Sequence, residues 1–249
     1  MRALITGASS GIGRDIAREL SKRGYDLVIV ARNKEKLEEL KKDLSTKVEI
    51  IVMDLTIEEN CKKLYEQEKN VDILVNNAGL GEFGKFTETD LEKELTIIKT
   101  NIVALHVLTK LYLQDMTKRN SGRILNVASI AGFMPGPLMA TYYSSKAYVV
   151  RLSEAIREEL NKQNSKVKIS LLCPGPVKTN FNNVANVKFE IESLTSEYVA
   201  RYAVDKMLKN KFYIVPGFTI KLEKFFSKLT PTVILAKCSY YMQKRKDGK

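Results

Sequence analysis

Seven short runs rich in β-branched residues, ALIT, DLVIVA, KVEIIVM, DILVN, RILNVAS, KISLLC and FYIVP, recur along this chain of 249 residues. Between them lie longer stretches such as RDIARELSKRG and KEKLEELKKDL, whose apolar residues fall three and four apart, the spacing of one helix face. Gly24 is placed to end the first of these helices. Strands alternating with helices form βαβ units and hence a parallel sheet. Right-handed crossovers then favour a doubly wound α/β sheet of seven parallel strands, flanked by helices on both faces. Ligands of such sheets sit beyond the carboxyl ends of the strands, where the strand order reverses. Chemistry is therefore sought at strand ends.

The length suffices for one α/β domain with a well-buried core, and no linker, low-complexity tract or fixed-period repeat divides the chain. No secretory signal is visible at MRALITG, and no window holds the roughly 18 uncharged apolar residues of a membrane span. Cys61, Cys173 and Cys238 are scattered without metal-ligand spacing, so reduced thiols in the cytoplasm and no metal are expected. The single histidine, His106, sits in the apolar pattern IVALHVLTKL and reads as a packed or interface residue; a Ser-His-Asp hydrolase has no base to use. Half of the net charge of +12 lies in residues 219–249, and elsewhere lysines mix with glutamates on helical faces. That distribution is solvated surface rather than a nucleic-acid footprint.

The first strand runs into TGASSGIG, with Gly7, Gly11 and Gly13 at the turn into a helix and Ser9, Ser10 and Ile12 between them. Gly7 permits the tight turn, Gly11 lets backbone approach a pyrophosphate, and Gly13 allows close helix packing; free N–H groups and the helix dipole then face the anion. Dinucleotide sheets commonly end the second strand with a carboxylate for the ribose 2′-hydroxyl. Here DLVIVA ends in Ala31 and Arg32 follows. A guanidinium there suits a 2′-phosphate through a charge-assisted fork, and Ser9 and Ser10 can add hydroxyl donors. In TYYSSKAYVV, Tyr142 and Tyr143 precede Lys146 by four and three residues, so on a helix either phenol can approach the ammonium. A neighbouring ammonium favours phenolate, which makes such a pair a candidate proton carrier.

TGASSGIG with its GxxxGxG spacing, NNAG at 76–79, Ser129, Tyr142-x-x-x-Lys146 and PGPVKT at 174–179 follow one another in an order that resembles the short-chain dehydrogenase/reductase family. The resemblance covers roughly residues 1–217, taken as a Rossmann-like catalytic domain, with residues 218–249 as an extension. It implies hydride transfer between NADP(H) and a carbonyl or secondary alcohol, with Arg32 marking the NADP(H) preference. By that resemblance the lysine follows the catalytic tyrosine by four and Ser129 precedes it by thirteen, which selects Tyr142 as the acid. Tyr143 then becomes a packing or subunit-contact residue. Lys146 would lower the Tyr142 pKa and hold the nicotinamide ribose, Ser129 would polarise the substrate oxygen, and Asn101 would keep a water in the proton relay. Asp54 and Leu55 would meet the adenine; Asn77, Ala78 and Gly79 the adenosine ribose side; Pro174, Gly175, Val177 and Thr179 the nicotinamide end. The family also implies a homodimer or homotetramer. The rival readings are a catalytically silent cofactor sensor of the same fold and a basic membrane- or nucleic-acid-binding protein.

Phe133, Met134, Pro135, Phe83 and Phe181 are expected to face the substrate, which suggests a hydrophobic or aromatic carbonyl compound. The segment from Asn180 to Leu194 is where the family places a mobile lid. After Gly217, residues Leu222, Phe225, Phe226, Leu229 and Val233 form an apolar stripe among lysines. Such a stripe can lie on an anionic membrane surface. It can also fold back over the substrate mouth or onto a partner subunit; folding back onto the domain is expected.

Overall fold

Successive side chains of each central strand enter different cores. On β1 (Arg2–Thr6), Leu4 joins the hydrophobic cluster on one face, and Ala3 and Ile5 join the cluster on the other. On β2 (Asp26–Ala31), Val28 and Val30 go with Leu4, while Leu27, Ile29 and Ala31 go with Ile5. A strand covered on both faces needs a continuous apolar run, which is why these segments carry so little charge.

The computed structural model describes residues 1–179, 181 and 193–244. Strands β3 (Val48–Val52), β4 (Ile73–Asn76), β5 (Arg123–Val127) and β6 (Lys168–Leu172) continue the sheet. A separate two-stranded ladder joins β7 (Val177–Lys178) to β8 (Leu194–Thr195), and β9 (Tyr213–Ile214) completes the main sheet at its edge. The order among the described residues is β3-β2-β1-β4-β5-β6-β9, with every neighbouring pair parallel. These are the seven runs read from the sequence. The order reverses between β1 and β4, and the ends of those two strands carry the glycine loop and NNAG.

Helices α1 (Gly11–Ser21) and α2 (Lys34–Lys42) cover the Ile5 face. Helix α3 (Glu58–Gln67) covers the Leu4 face. Helix α4 (Leu91–Ile98) leads through a π-helical turn, Lys99–Ala104, into α5 (Leu105–Lys118), which joins α3. Helix α6 (Ala140–Lys162) also packs there, and α7 (Ser196–Leu208) returns to the Ile5 face. A buried carboxylate ties α1 to α7: Asp15 accepts a 2.5 Å hydrogen bond from the Ser196 hydroxyl and pairs with Arg14 and Arg18. A charge that deep persists because it is both paired and hydrogen-bonded.

The last two helices, α8 (Phe218–Leu229) and α9 (Thr232–Lys244), are separated by Thr230 and Pro231. They lie against the domain: Ile220 sits on Gly175, the Lys224 ammonium lies over the Tyr213 ring, and Gln243 bonds Tyr143. The expected lid segment lies outside the described residues apart from Phe181, Ser193 and Leu194. No described helix is long and apolar enough to cross a membrane, and no described group of His, Cys, Asp and Glu could hold a metal ion.

Candidate active site

The glycine loop and NNAG form one packed unit. Gly7 and Gly11 have φ of 66° and 54°, in the left-handed region that a side chain disfavours. A Cβ on Gly13 would stand 2.2 Å from Asn77 Nδ2 and 2.5 Å from the Gly7 carbonyl, so only glycine lets α1 approach NNAG so closely. Asn77 Nδ2 in turn donates to the carbonyls of Thr6, at 3.0 Å, and Gly7, at 3.1 Å. The Thr6 hydroxyl accepts from the Asn77 and Ala78 amides. Asn77 is therefore a clamp for the loop as well as part of the cleft wall.

Asn101, Ser129, Tyr142 and Lys146 converge beyond β4 and β5. The π-turn carries Asn101, whose Oδ1 accepts from the Leu80 amide at 2.8 Å. Its Nδ2 donates to the Leu80 carbonyl and to Ser145 Oγ, both at 2.9 Å. The Ser145 hydroxyl in turn donates a hydrogen bond to the Tyr142 carbonyl at 2.7 Å. An under-wound, widened turn of this kind aims a side chain that a regular helix would direct elsewhere. Ser129 caps a short 3₁₀ turn, Ile130–Phe133, and shares a hydrogen bond with the Tyr142 hydroxyl. The Lys146 ammonium is buried and donates 2.9 Å to the Val127 carbonyl at the end of β5, lying 5.8 Å from the centre of the Tyr142 ring. A Cβ on Gly79 would stand 3.3 Å from Lys146 Nζ and 3.4 Å from Asn101 Oδ1.

The electrostatics correct one expectation. Burial raises the Tyr142 phenol to about 12, opposed only by its hydrogen bond to Ser129. Burial also lowers Lys146 to about 8. The lysine does not pull the phenol down here, because desolvation penalises both charged forms and the ammonium is directed at Val127.

A cleft of ≈ 740 Å³ runs from the glycine loop to this cluster. Its wall includes Gly7, Ser9, Ser10, Gly11, Ile12, Arg32, Asp54, Leu55, Asn77, Ala78 and Gly79, and at the far end Ser129, Tyr142, Lys146, Pro174, Gly175, Val177 and Thr179. Gly13 lies behind that wall, and Asn101 reaches the site through Leu80 and Ser145. Arg32 is exposed on the rim, its Nη1 3.9 Å from Asp54 Oδ2. The volume, the positive-φ glycines and the exposed guanidinium fit a phosphorylated dinucleotide.

The family model described as short chain dehydrogenase matches residues 1–188. The chain belongs to the short-chain dehydrogenase family. A 3-oxoacyl-[acyl-carrier-protein] reductase of Haemophilus influenzae is 33% identical over 73% of this chain and 76% of its own. A very-long-chain 3-oxoacyl-CoA reductase of Pyrenophora tritici-repentis is 40% identical over 64% of this chain; the match spans half of that longer protein. Among solved structures, a short-chain dehydrogenase of Sphingobium yanoikuyae in complex with NADPH is 26% identical, with a TM-score of 0.82 over 92% of this chain and 93% of its own.

The substrate end of this short-chain dehydrogenase differs from the sequence expectation. Phe133, Met134 and Pro135 do not line the cleft. The 3₁₀ turn after Ser129 carries Phe133 behind the site, where it joins the core, stands 6.2 Å from the Tyr213 ring and lies under the Lys224 ammonium. Phe181 lines it as expected, and the rest of the apolar lining comes from Met139, Tyr143, Ile220 and Met242. Phe83 packs with Met139 and Phe181 beside it. Thr219, Glu223 and Gln243 of the last two helices also reach the wall, as do Asn33 and Lys36 near Arg32. Nothing local in the sequence marks Gln243, since its partner Tyr143 lies 100 residues away. His106 is exposed and shares a 2.7 Å hydrogen bond with the Tyr148 hydroxyl, away from the cleft.

Proposed function

We propose that this short-chain dehydrogenase is an NADP(H)-dependent reductase of a hydrophobic carbonyl compound, or the dehydrogenase of the corresponding secondary alcohol. The observation that carries the oxidoreductase reading is the convergence of Ser129, Tyr142 and Lys146 at one end of a cleft whose other end is a glycine-rich helix N-terminus. NADP(H) supplies or accepts the hydride when bound. Gly7, Ser9, Ser10, Gly11 and Ile12 would hold its pyrophosphate, and Arg32 with Lys36 its 2′-phosphate. Asp54 and Leu55 would flank the adenine, and Val177 and Thr179 the nicotinamide end.

The roles of the chain's own groups follow from their positions. Tyr142 is protonated at neutral pH, as an ordinary phenol is, and it lines the cleft, so it is placed to donate a proton to the substrate oxygen. Ser129, bonded to the same phenol, stabilises the negative charge that grows on that oxygen. Lys146 lies 5.8 Å from the centre of the Tyr142 ring, and Asn101 holds the Leu80 backbone and Ser145 in place behind it. Water in a relay through Asn101 would meet an amide already engaged on both ends.

Met139, Phe181, Ile220 and Met242 at the mouth support an apolar substrate. The two 3-oxoacyl reductases among the relatives make 3-oxoacyl thioesters one class to include. A homodimer or homotetramer in the cytoplasm is the accompanying reading, supported by family habit and by three unpaired thiols. A panel of aldehydes, ketones and 3-oxoacyl thioesters, followed by NADPH absorbance with NADH in parallel, tests the proposal. Turnover with NADPH on apolar carbonyls supports it; binding of NADPH without turnover of any member supports a sensor instead.

A further inference from the structure

Helices α8 and α9 are amphipathic in the inverted sense. Their buried residues are Ser227, Ser239 and Gln243, and the Ser239 hydroxyl and Gln243 Oε1 have no hydrogen-bond partner among the described residues. Apart from half-buried Ile220 and Leu235, their large apolar residues point outward: Phe218 is 73% exposed, Leu229 67% and Val233 68%, with Phe225, Phe226 and Ile234 more than half exposed. Phe218, Leu222, Phe225 and Leu229 recur at intervals of four, three and four and form one stripe. The sequence alone suggested that this stripe would cover the domain. The helices do fold back, yet with the polar side inward. Solvated helices of a free monomer do not expose such a surface without an occupant.

Charge decides which occupant fits. Residues 218–244 contain five lysines and one glutamate. Lys221 and Lys228 lie three and ten residues after Phe218, along one flank of the stripe, and both are exposed. Lys237 and Lys244 are exposed on α9, as are Tyr240 and Tyr241, residues suited to a boundary between apolar and wet surroundings. A second copy of the chain would set this cationic face against itself. An anionic lipid headgroup layer complements it, with the aromatic and aliphatic residues entering the acyl boundary.

We infer that the outward face of α8 and α9 docks this protein on an anionic lipid surface. The same two helices supply Ile220, Met242 and Gln243 to the cleft wall, so a docked molecule holds the cleft beside the lipid. The inference concerns where the protein sits and does not depend on which carbonyl compound it reduces.

Sedimentation of the full chain with phosphatidylcholine vesicles, with and without phosphatidylglycerol, tests the inference. Binding is expected with phosphatidylglycerol, much weaker without it, and reduced by added salt. The double variant Phe225→Ser/Leu229→Ser, altered only at exposed side chains, should lower the partition coefficient by about tenfold or more. Lys221→Glu/Lys228→Glu should do the same. Lys118→Glu/Lys162→Glu, at the ends of α5 and α6 on the opposite rim of the sheet, should have little effect. Failure to sediment with the anionic vesicles would overturn the inference. So would equal loss in the Lys118/Lys162 variant, or retention in Phe225→Ser/Leu229→Ser, since either leaves only diffuse charge attraction. A dimer in light scattering that Phe225→Ser/Leu229→Ser dissociates would assign the face to a second copy and overturn it too.

Discussion

Gln243, in the last turn of α9, donates a 2.5 Å hydrogen bond to the hydroxyl of Tyr143, the residue beside Tyr142 on α6. The bond fastens the end of α9 to the wall of the cleft. It also gives Tyr143 a structural partner of its own on α9.

Replacing either partner should loosen α9. An unpaired buried phenol or amide costs about 1–3 kcal/mol. Tyr143→Phe and Gln243→Met are each expected to speed hydrogen exchange in Thr232–Lys244. Because the two act through one bond, the double variant should exchange no faster than the worse single variant. Additive effects would show that the bond does not hold the helix.

Stability should depend on pH through Lys146. Burial lowers its folded pKa to about 8, below the ordinary lysine value of 10.5. Between those values the unfolded chain binds the proton and the folded chain does not, so stability rises with pH across the window and is lost as pH falls towards 8. Lys224, lowered to about 8 chiefly by burial, acts in the same direction. Tyr142, raised to about 12, acts oppositely only above about pH 10. Urea unfolding of the wild type between pH 8 and pH 10 should show a gain that Lys146→Met reduces by on the order of 2 kcal/mol. Equal gains in both proteins would contradict the burial argument.

Arg32 should set the choice of cofactor. A charge-assisted bond contributes about 1.5–3 kcal/mol, or roughly 10–100-fold in affinity. Arg32→Asp is therefore expected to raise the NADPH Kd by that factor and leave NADH unchanged or improved. Calorimetric titration of both nucleotides reads this directly, and Lys36→Ala should give a smaller loss in the same direction.

Gly13→Ala should be costly although the residue is helical. Its methyl would meet Asn77 Nδ2 and the Gly7 carbonyl at contact distances that backbone cannot yield easily. Overpacking of this kind costs about 1–3 kcal/mol. Thermal unfolding should register the loss, and weaker nucleotide binding should accompany it.

The sheet was legible because each central strand is a doubly covered apolar run, and the candidate site because its residues fall at strand ends in a fixed order. What the sequence hid was geometry fixed by distant partners. Asn101 sits on a π-turn that no local pattern announces. Phe133 follows Ser129 closely but is swung behind it by a 3₁₀ turn into the Tyr213 core. The Asp15–Ser196 bond spans 181 residues. The apolar stripe of the tail was visible, but its outward orientation depends on where Ser239 and Gln243 are buried, which periodicity alone does not give.

The central claim is that Tyr142, rather than its neighbour, is the proton donor. The most direct measurement is kcat of Tyr142→Phe and Tyr143→Phe on the best carbonyl substrate, with the NADPH Kd of each. Tyr142→Phe should lose at least about 10²-fold in kcat while binding NADPH as before, and Tyr143→Phe should keep kcat within about threefold. Near-normal turnover by Tyr142→Phe, or an equal collapse in Tyr143→Phe with NADPH still bound, would contradict it.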